Sequence, residues 1–339
     1  EIKKEKDLVF VNGQFLNDKK DFNIEDLKAI FSDVFNDVDI KKIEFSSENS
    51  FSFNINKNLK LNNFKIESVI NLNQLISNQK NLKLKTYLPS FNEKIKFDGH
   101  KIVINYNKNK LDIKGSGNFS FEDKTDNISY QITKDKDSFS FNLKTKLKNN
   151  SLLLNILDYE KKEGLNSLVL IKGNYSNKKK LRLNFISLEE SDNKILIKGL
   201  DLSKRFKIID IKNLSINLKN SKKVSNKLQL KKDNSNFFVE GEIFDASKII
   251  NNIMESDEDS SSIFENFNSK INIRINQTYI DEVNYINNLN GHINYKDNKK
   301  NEVELASVFS NGKKINLSIK KNNNLGPITR LFSSYPKPL

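Results

Sequence analysis

SKINIRIN at residues 269–276 and KKINLSIKK at 313–321 alternate apolar and polar side chains without a break. Successive side chains of a β-strand point to opposite faces, so each stretch makes one apolar face and one Lys/Asn/Ser face. The same alternation recurs upstream in SFSFNIN (50–56), HKIVINY (100–106) and SFSFNLKTKL (138–147). A helical period would bring apolar residues back at three and four, and these stretches do not. Repeated over most of the chain, the pattern predicts a mainly β protein with one very long apolar sheet face.

Composition narrows what could cover that face. Apolar residues make up 36% of the 339 residues, below the usual ~45–50%, yet they are regularly placed, which argues against disorder. Heavy use of Lys, Asn, Ile and Phe fits an AT-rich coding bias. The net charge of +14 favours anionic lipid head groups or nucleic acid over acidic protein partners. The chain has no cysteine, which removes disulfides and thiolate metal sites. No stretch approaches the ~20 apolar residues of a membrane-spanning helix. Glu1 in place of Met, and an end at SSYPKPL just after a helical-looking turn, read as a segment of a longer protein whose anchor or export signal lies upstream.

The strand pattern dominates from residue 41 onward. Short polar clusters such as NKNK, KDKD, SNKKK and KDNKKN separate the apolar runs, as hairpins of an antiparallel meander require. Strands are predicted near 41–46, 50–56, 58–70, 81–88, 93–98, 100–107, 110–121 and onward to 313–320. Glycines inside runs (KGSGNF, KGNY, VEGEI, LNGHI) mark bulges that let a long sheet curve. Helices are expected at 22–38 on the period of Ile24, Leu27, Phe31, Val34, Phe35 and Val38, at 151–160, at 244–256 and from 326, with a turn at 261–267. The acidic run at 255–262 is expected to be a solvated loop. Three segments follow, in one continuous architecture: a strand and helix at 1–40, a meander at 41–235, and a strand–helix–strand segment at 236–339.

With so few helices, the second layer of an α/β fold is not available. The sheet must close on itself as a sandwich or barrel, or stay open as a strongly curved, U-shaped apolar groove. Filling such a groove with acyl chains is favourable at about 25 cal/mol per Å².

Catalytic signatures are missing. The two histidines, His100 and His292, sit beside glycines in strand or turn contexts and are expected to be exposed or half-buried. Neither G-x-S-x-G, G-x-x-x-x-G-K-[ST] nor G-x-G-x-x-G occurs. Carboxylates fall on polar faces and turns. The alternation places Lys and the aromatics on opposite faces, whereas a nucleic-acid stacking platform needs both on one, and the arginines are only Arg182, Arg205, Arg274 and Arg330. The expectation is a protein that is not an enzyme, with no cofactor, no metal and no nucleic-acid partner.

The C-terminal third carries a more specific pattern. NFFVEGEIFDASKIINNIMES couples a strand and a Gly to Asp-Ala-Ser and an amphipathic helix. FNSKINIRINQTYI, YINNLNGHINYK and LGPITRLFSS follow. Over about 236–334 this resembles the AsmA-like envelope proteins, especially the YhdP branch, with TamB more distant. Gly241, Asp245, Ala246, Gly291, Gly312, Gly326 and Arg330 are the matching positions. The resemblance implies a periplasmic β-groove of a diderm bacterium, tethered to the inner membrane by an upstream helix and conducting phospholipids toward the outer membrane.

The lining residues that the alternation nominates are Phe51, Phe53 and Ile55; Ile102, Ile104 and Tyr106; and Phe139, Phe141 and Leu143. To these it adds Ile271, Ile273 and Ile275, and Ile315, Leu317 and Ile319. A dry core made of the same residues stays open at this point. So does an envelope scaffold that assists outer-membrane protein assembly by strand addition.

Overall fold

The computed structural model describes residues 1–25, 39–79, 83–135, 138–176, 181–250, 264–322 and 326–334. The fold is mainly β and antiparallel, and it is not closed into a barrel. Contacts divide the chain into two compact units, 1–153 with 161–177 and 154–160 with 178–339.

The first unit holds β1 (Ile2–Glu5), β2 (Leu8–Asp21), β3 (Asp39–Asn56), β4 (Leu61–Asn78), β5 (Lys94–Asn107), β6 (Lys110–Phe121), β7 (Lys124–Asp135), β8 (Ser138–Leu147) and β11 (Ser167–Ser176). Each strand pairs antiparallel with the next in that order. Between β8 and β11 lie two three-residue strands, β9 (Leu152–Leu154) and β10 (Tyr159–Lys161).

The second unit holds β12 (Leu181–Glu190), β13 (Asn193–Leu202), β14 (Ile208–Lys219), β15 (Ser225–Asp233), β16 (Asn236–Asp245), β17 (Ser269–Tyr279), β18 (Tyr285–Lys296), β19 (Lys299–Phe309), β20 (Lys314–Asn322) and β21 (Gly326–Ser333). These ten also pair in chain order, antiparallel except at β16/β17. That pair is parallel, so β16 and β17 start from the same end of the sheet.

Several strands are longer than the sequence suggests. The runs at 41–46 and 50–56 are one strand, β3, and those at 93–98 and 100–107 are one strand, β5. In β5, Gly99 takes φ +60° at a register shift between Asp98 and Lys101. The bulge absorbs a residue without ending the strand, so both halves keep their apolar residues on one face.

Three other local expectations change. Residues 83–86, expected as strand, form a 3-10 turn. The expected helix at 151–160 is β9, a 3-10 turn at Asn155–Leu157 and β10. Its apolar run SLLLNIL lacks a cap at Leu154 and stops at Asp158 in the left-handed region, φ 48°. The helical turn expected from Gly326 is strand β21, held in register by β20. The helices expected at 22–38 and 244–256 are helical at 24–25 and 247–250 respectively, and their remainders and the acidic run fall outside the described residues.

Buried clusters sit toward the strand ends. In the first unit, Phe91, Phe119, Phe121 and Leu147 pack with Leu84, Leu88 and Ile95, with the Phe91 and Phe121 rings edge-to-face at 5.3 Å. A second cluster gathers Ile40, Ile43 and Leu72 against Phe22 and Ile24. In the second unit, Phe264 and Phe267 cover Leu200, Ile211 and Phe237.

Candidate functional site

Strand register converts the alternation into continuous rows. In the second unit Ile186 lies opposite Ile197, Ile197 opposite Leu214, Leu214 opposite Leu230 and Leu230 opposite Val239. Val239 faces Ile273, Ile273 faces Gly291, Gly291 faces Leu305, Leu305 faces Leu317 and Leu317 faces Leu331. One residue from each of ten strands therefore falls on one line, and nine of the ten are aliphatic. At ~4.8 Å per strand the line runs for roughly 40 Å.

No member of that row is buried, and Leu331 is 53% exposed. The row beside it is different. Two residues along each strand, and so on the same face, Leu188, Ile195, Ile216, Leu228 and Ile275 are 4–8% exposed. On the other flank Phe237 is 3% exposed under Phe267. At β12–β15 and β17 the accessible residues therefore sit beside sealed ones, and the apolar strip they belong to runs across the strands rather than along any one of them.

The first unit repeats the arrangement on a smaller scale. Ile104, Ile113, Ile132 and Phe141 stand opposite one another in succession, and so do Ile70, Ile102, Gly115, Tyr130, Leu143 and Ile171. All are half-buried. Tyr130 folds its ring over the space that Gly115 leaves.

The nominated lining residues thus come together in sets. Ile104 shares a line with Phe141, and Ile102 with Leu143. Ile273 shares one with Leu317, and Ile271 with Ile319 through Ile293 and Val303. Phe51, Ile66 and Tyr106 make another. Phe53, Ile55, Phe139 and Ile315 are half-buried as well. Ile275 alone of the fifteen is sealed. The signal that the sequence could have supplied and did not was register: Ile186, Ile197, Leu214, Leu230, Val239 and Leu305 alternate equally well but were not nominated.

The motif residues occupy structural positions. The Asp245 carboxylate is buried and accepts hydrogen bonds from Ser247 N–H at 3.0 Å, Ser247 Oγ at 2.5 Å and Asn220 Nδ2 at 2.8 Å. It caps the turn that begins at Ala246, whose carbonyl accepts from Ile250 N–H. Gly241 lies at a register shift between Lys227 and Leu228, with the Lys227 carbonyl 2.9 Å from where a Cβ would stand. Gly291 takes φ +145°. Gly312 takes φ +79° in the turn between β19 and β20. Arg330 is exposed opposite Ser318.

His100 corrects the sequence expectation, being only 2% exposed. Its Nε2 lies 2.8 Å from the Asn118 carbonyl, so Nε2 carries the proton, and Nδ1 accepts from the Tyr130 hydroxyl at 3.3 Å. Burial raises the Tyr130 phenol above its ordinary range, which keeps it a donor. Both ring nitrogens are therefore satisfied inside the sheet face. His292 is half-buried, 3.6 Å from Glu302. Among the described residues no group of three or more His, Asp or Glu side chains is placed to hold a metal, and no helix is long and apolar enough to cross a membrane.

Comparison with known protein families, curated proteins and solved structures gives no match to this chain.

Proposed function

We propose that the protein is a non-enzymatic carrier whose half-exposed apolar rows accept the acyl chains of phospholipids. The observation that carries this reading is the ten-strand line from Ile186 to Leu331, aliphatic at nine positions and sealed at none. A dry core buries neighbouring rows alike, yet here Ile186, Ile197, Leu214, Leu230 and Ile273 stay accessible beside sealed Leu188, Ile195, Ile216, Leu228 and Ile275. An acyl chain laid along it gains about 0.8 kcal/mol for each CH2 removed from water, and the row asks for no particular head group. Set beside the resemblance of residues 236–334 to AsmA-like proteins, the reading extends to phospholipid passage between the inner and outer membranes of a bacterial envelope.

The test is lipid uptake. Protein incubated with phospholipid vesicles and re-isolated carries phospholipid measurable by mass spectrometry. Ile273→Asp and Leu305→Asp lower the amount several-fold, and Asn272→Asp on the polar face leaves it unchanged. Lipid-free wild-type protein, or equal loading of all variants, sinks the proposal.

A second reading, a scaffold that adds strands of client proteins, is favoured by β21. Leu331 and Phe332, on opposite faces of it, are 53% and 57% exposed, and β20 is its one partner strand among the described residues. Polypeptide rather than lipid recovered on β21 would support it.

A further inference from the structure

The polar face of the first unit carries a feature that the lipid reading does not use. A recess of about 580 Å³ opens there over β5–β8 and β11, the scale of a small-ligand site. Lys101 and Lys114 lie diagonally across β5 and β6 on one side of it, since Lys101 faces Ser116. Lys144 and Lys172 lie diagonally across β8 and β11 on the other, since Lys144 faces Leu170. Ser116, Ser129 and Asn142 form the floor between the two pairs. Adjacent residues Ile102 and Leu143 point the other way, so the recess and the apolar rows share strands but not a face.

Its lining is basic. In the second unit several polar-face cations are answered from the neighbouring strand: Arg182 by Asp201 at 2.7 Å, Lys227 by Glu242 at 2.9 Å and Lys320 by Glu304 at 2.8 Å. No carboxylate lines the recess. Asp112 at its margin reaches Lys114 at 3.6 Å, but it also accepts hydrogen bonds from Gln131 and Thr133. The register neighbours of Lys101 are Asn71 and Ser116, and those of Lys144 are Ser129 and Leu170. Two cation pairs face each other two to four strand spacings apart, ~10–19 Å at the backbone, and long flexible side chains close that gap onto a compact anion.

We propose that this recess binds a compact polyanion carrying two or more phosphate groups. Phosphates bridge the two lysine pairs while the hydroxyl and amide groups of the floor donate to their oxygens. An extended nucleic-acid strand fits less well, because no aromatic platform opens on this face.

Titration calorimetry of the whole chain with tripolyphosphate tests it. Binding is expected to weaken as salt rises, and about tenfold in Lys101→Glu and again in Lys144→Glu. Lys57→Glu, an equal charge change outside the recess, is expected to bind like wild type with the same thermal midpoint as the other variants. Vesicles containing phosphatidic acid form the second arm. Retention that free tripolyphosphate competes off, and that K144E loses, assigns a lipid-borne phosphate. Tripolyphosphate binding without such retention assigns a free ligand. Absence of tripolyphosphate binding, equal loss in K57E, or tighter binding of an oligothymidine at the same lysines overturns the proposal. Because the lipid-uptake variants lie in the other unit, either proposal can fail without the other.

Discussion

Ile273 of β17 stands directly opposite Gly291 of β18, the one position in the ten-strand apolar row without a side chain. Gly291 holds φ +145°, and a Cβ there would overlap the Glu304 carbonyl oxygen of β19. The gap in the row is therefore a close approach of two backbones. Gly291→Ala is expected to destabilise the protein by ~2 kcal/mol or more, through strain at a positive φ and displacement of β19. Urea unfolding measures it, and a change within about 0.5 kcal/mol would contradict the described backbone.

Ile273 and Ile275 are two residues apart on the same face of β17, yet Ile275 is 4% exposed and Ile273 is half-buried. Truncating a sealed aliphatic leaves a cavity, so Ile275→Ala is expected to cost ~2–4 kcal/mol. Ile273→Ala loses partly wetted surface and is expected to cost about 1 kcal/mol. Equal costs in denaturant titration would mean that the row is an ordinary dry core.

Asp126, 4% exposed, accepts the backbone N–H groups of Lys148, Asn149 and Asn150 at 2.8–2.9 Å together with the Asn150 amide. Lys161, with no exposed surface, donates to the Lys148 and Asn150 carbonyls at 3.0 and 2.7 Å. This knot fixes the turn after β8. Asp126→Asn exchanges an acceptor for a donor and is expected to lower stability by ~2–3 kcal/mol, and Lys161→Met by a similar amount. Melting curves check both, and hydrogen exchange at residues 148–150 is expected to accelerate.

The hydrogen bond from Gln131 holds the Asp112 carboxyl below its ordinary value, helped by Thr133 and Lys114 and opposed by desolvation. A folded-state pKa that is depressed gives stability that is present above the unfolded value and lost as pH falls through the folded one. Wild type is therefore expected to lose this contribution as pH drops below about 4. Asp112→Asn is expected to show a shallower acid dependence there. Identical acid titrations of the two proteins would remove Asp112 from that role.

The alternation in SKINIRIN and SFSFNLKTKL was enough to read strands and their faces. What it could not show was which strands continue through a bend. Gly99 and the register shift beside it join HKIVINY to KIKF as one strand, because a bulge leaves the local period intact on either side. SLLLNIL failed for a related reason: a short apolar run fits helix and strand alike, and tertiary pairing decided. GPITRLFSS had helical spacing, yet β20 offered an edge and the backbone took it. For the candidate site, membership of the apolar face was legible residue by residue. Degree of burial was not, since Ile273 and Ile275 are alike in the sequence and differ only in what the fold lays over them. The lysine recess was hidden too, because it depends on diagonal neighbours across five strands.

The central claim, that the open row contacts acyl chains, is tested most directly by placing a photo-crosslinking residue at Ile273 and at Ile104 in cells and identifying the adducts by mass spectrometry. Phospholipid adducts are expected at both positions, and not at Arg274 or Lys101 on the opposite face. Recovery of no lipid adduct from either apolar position, or of polypeptide adducts alone, would contradict the account.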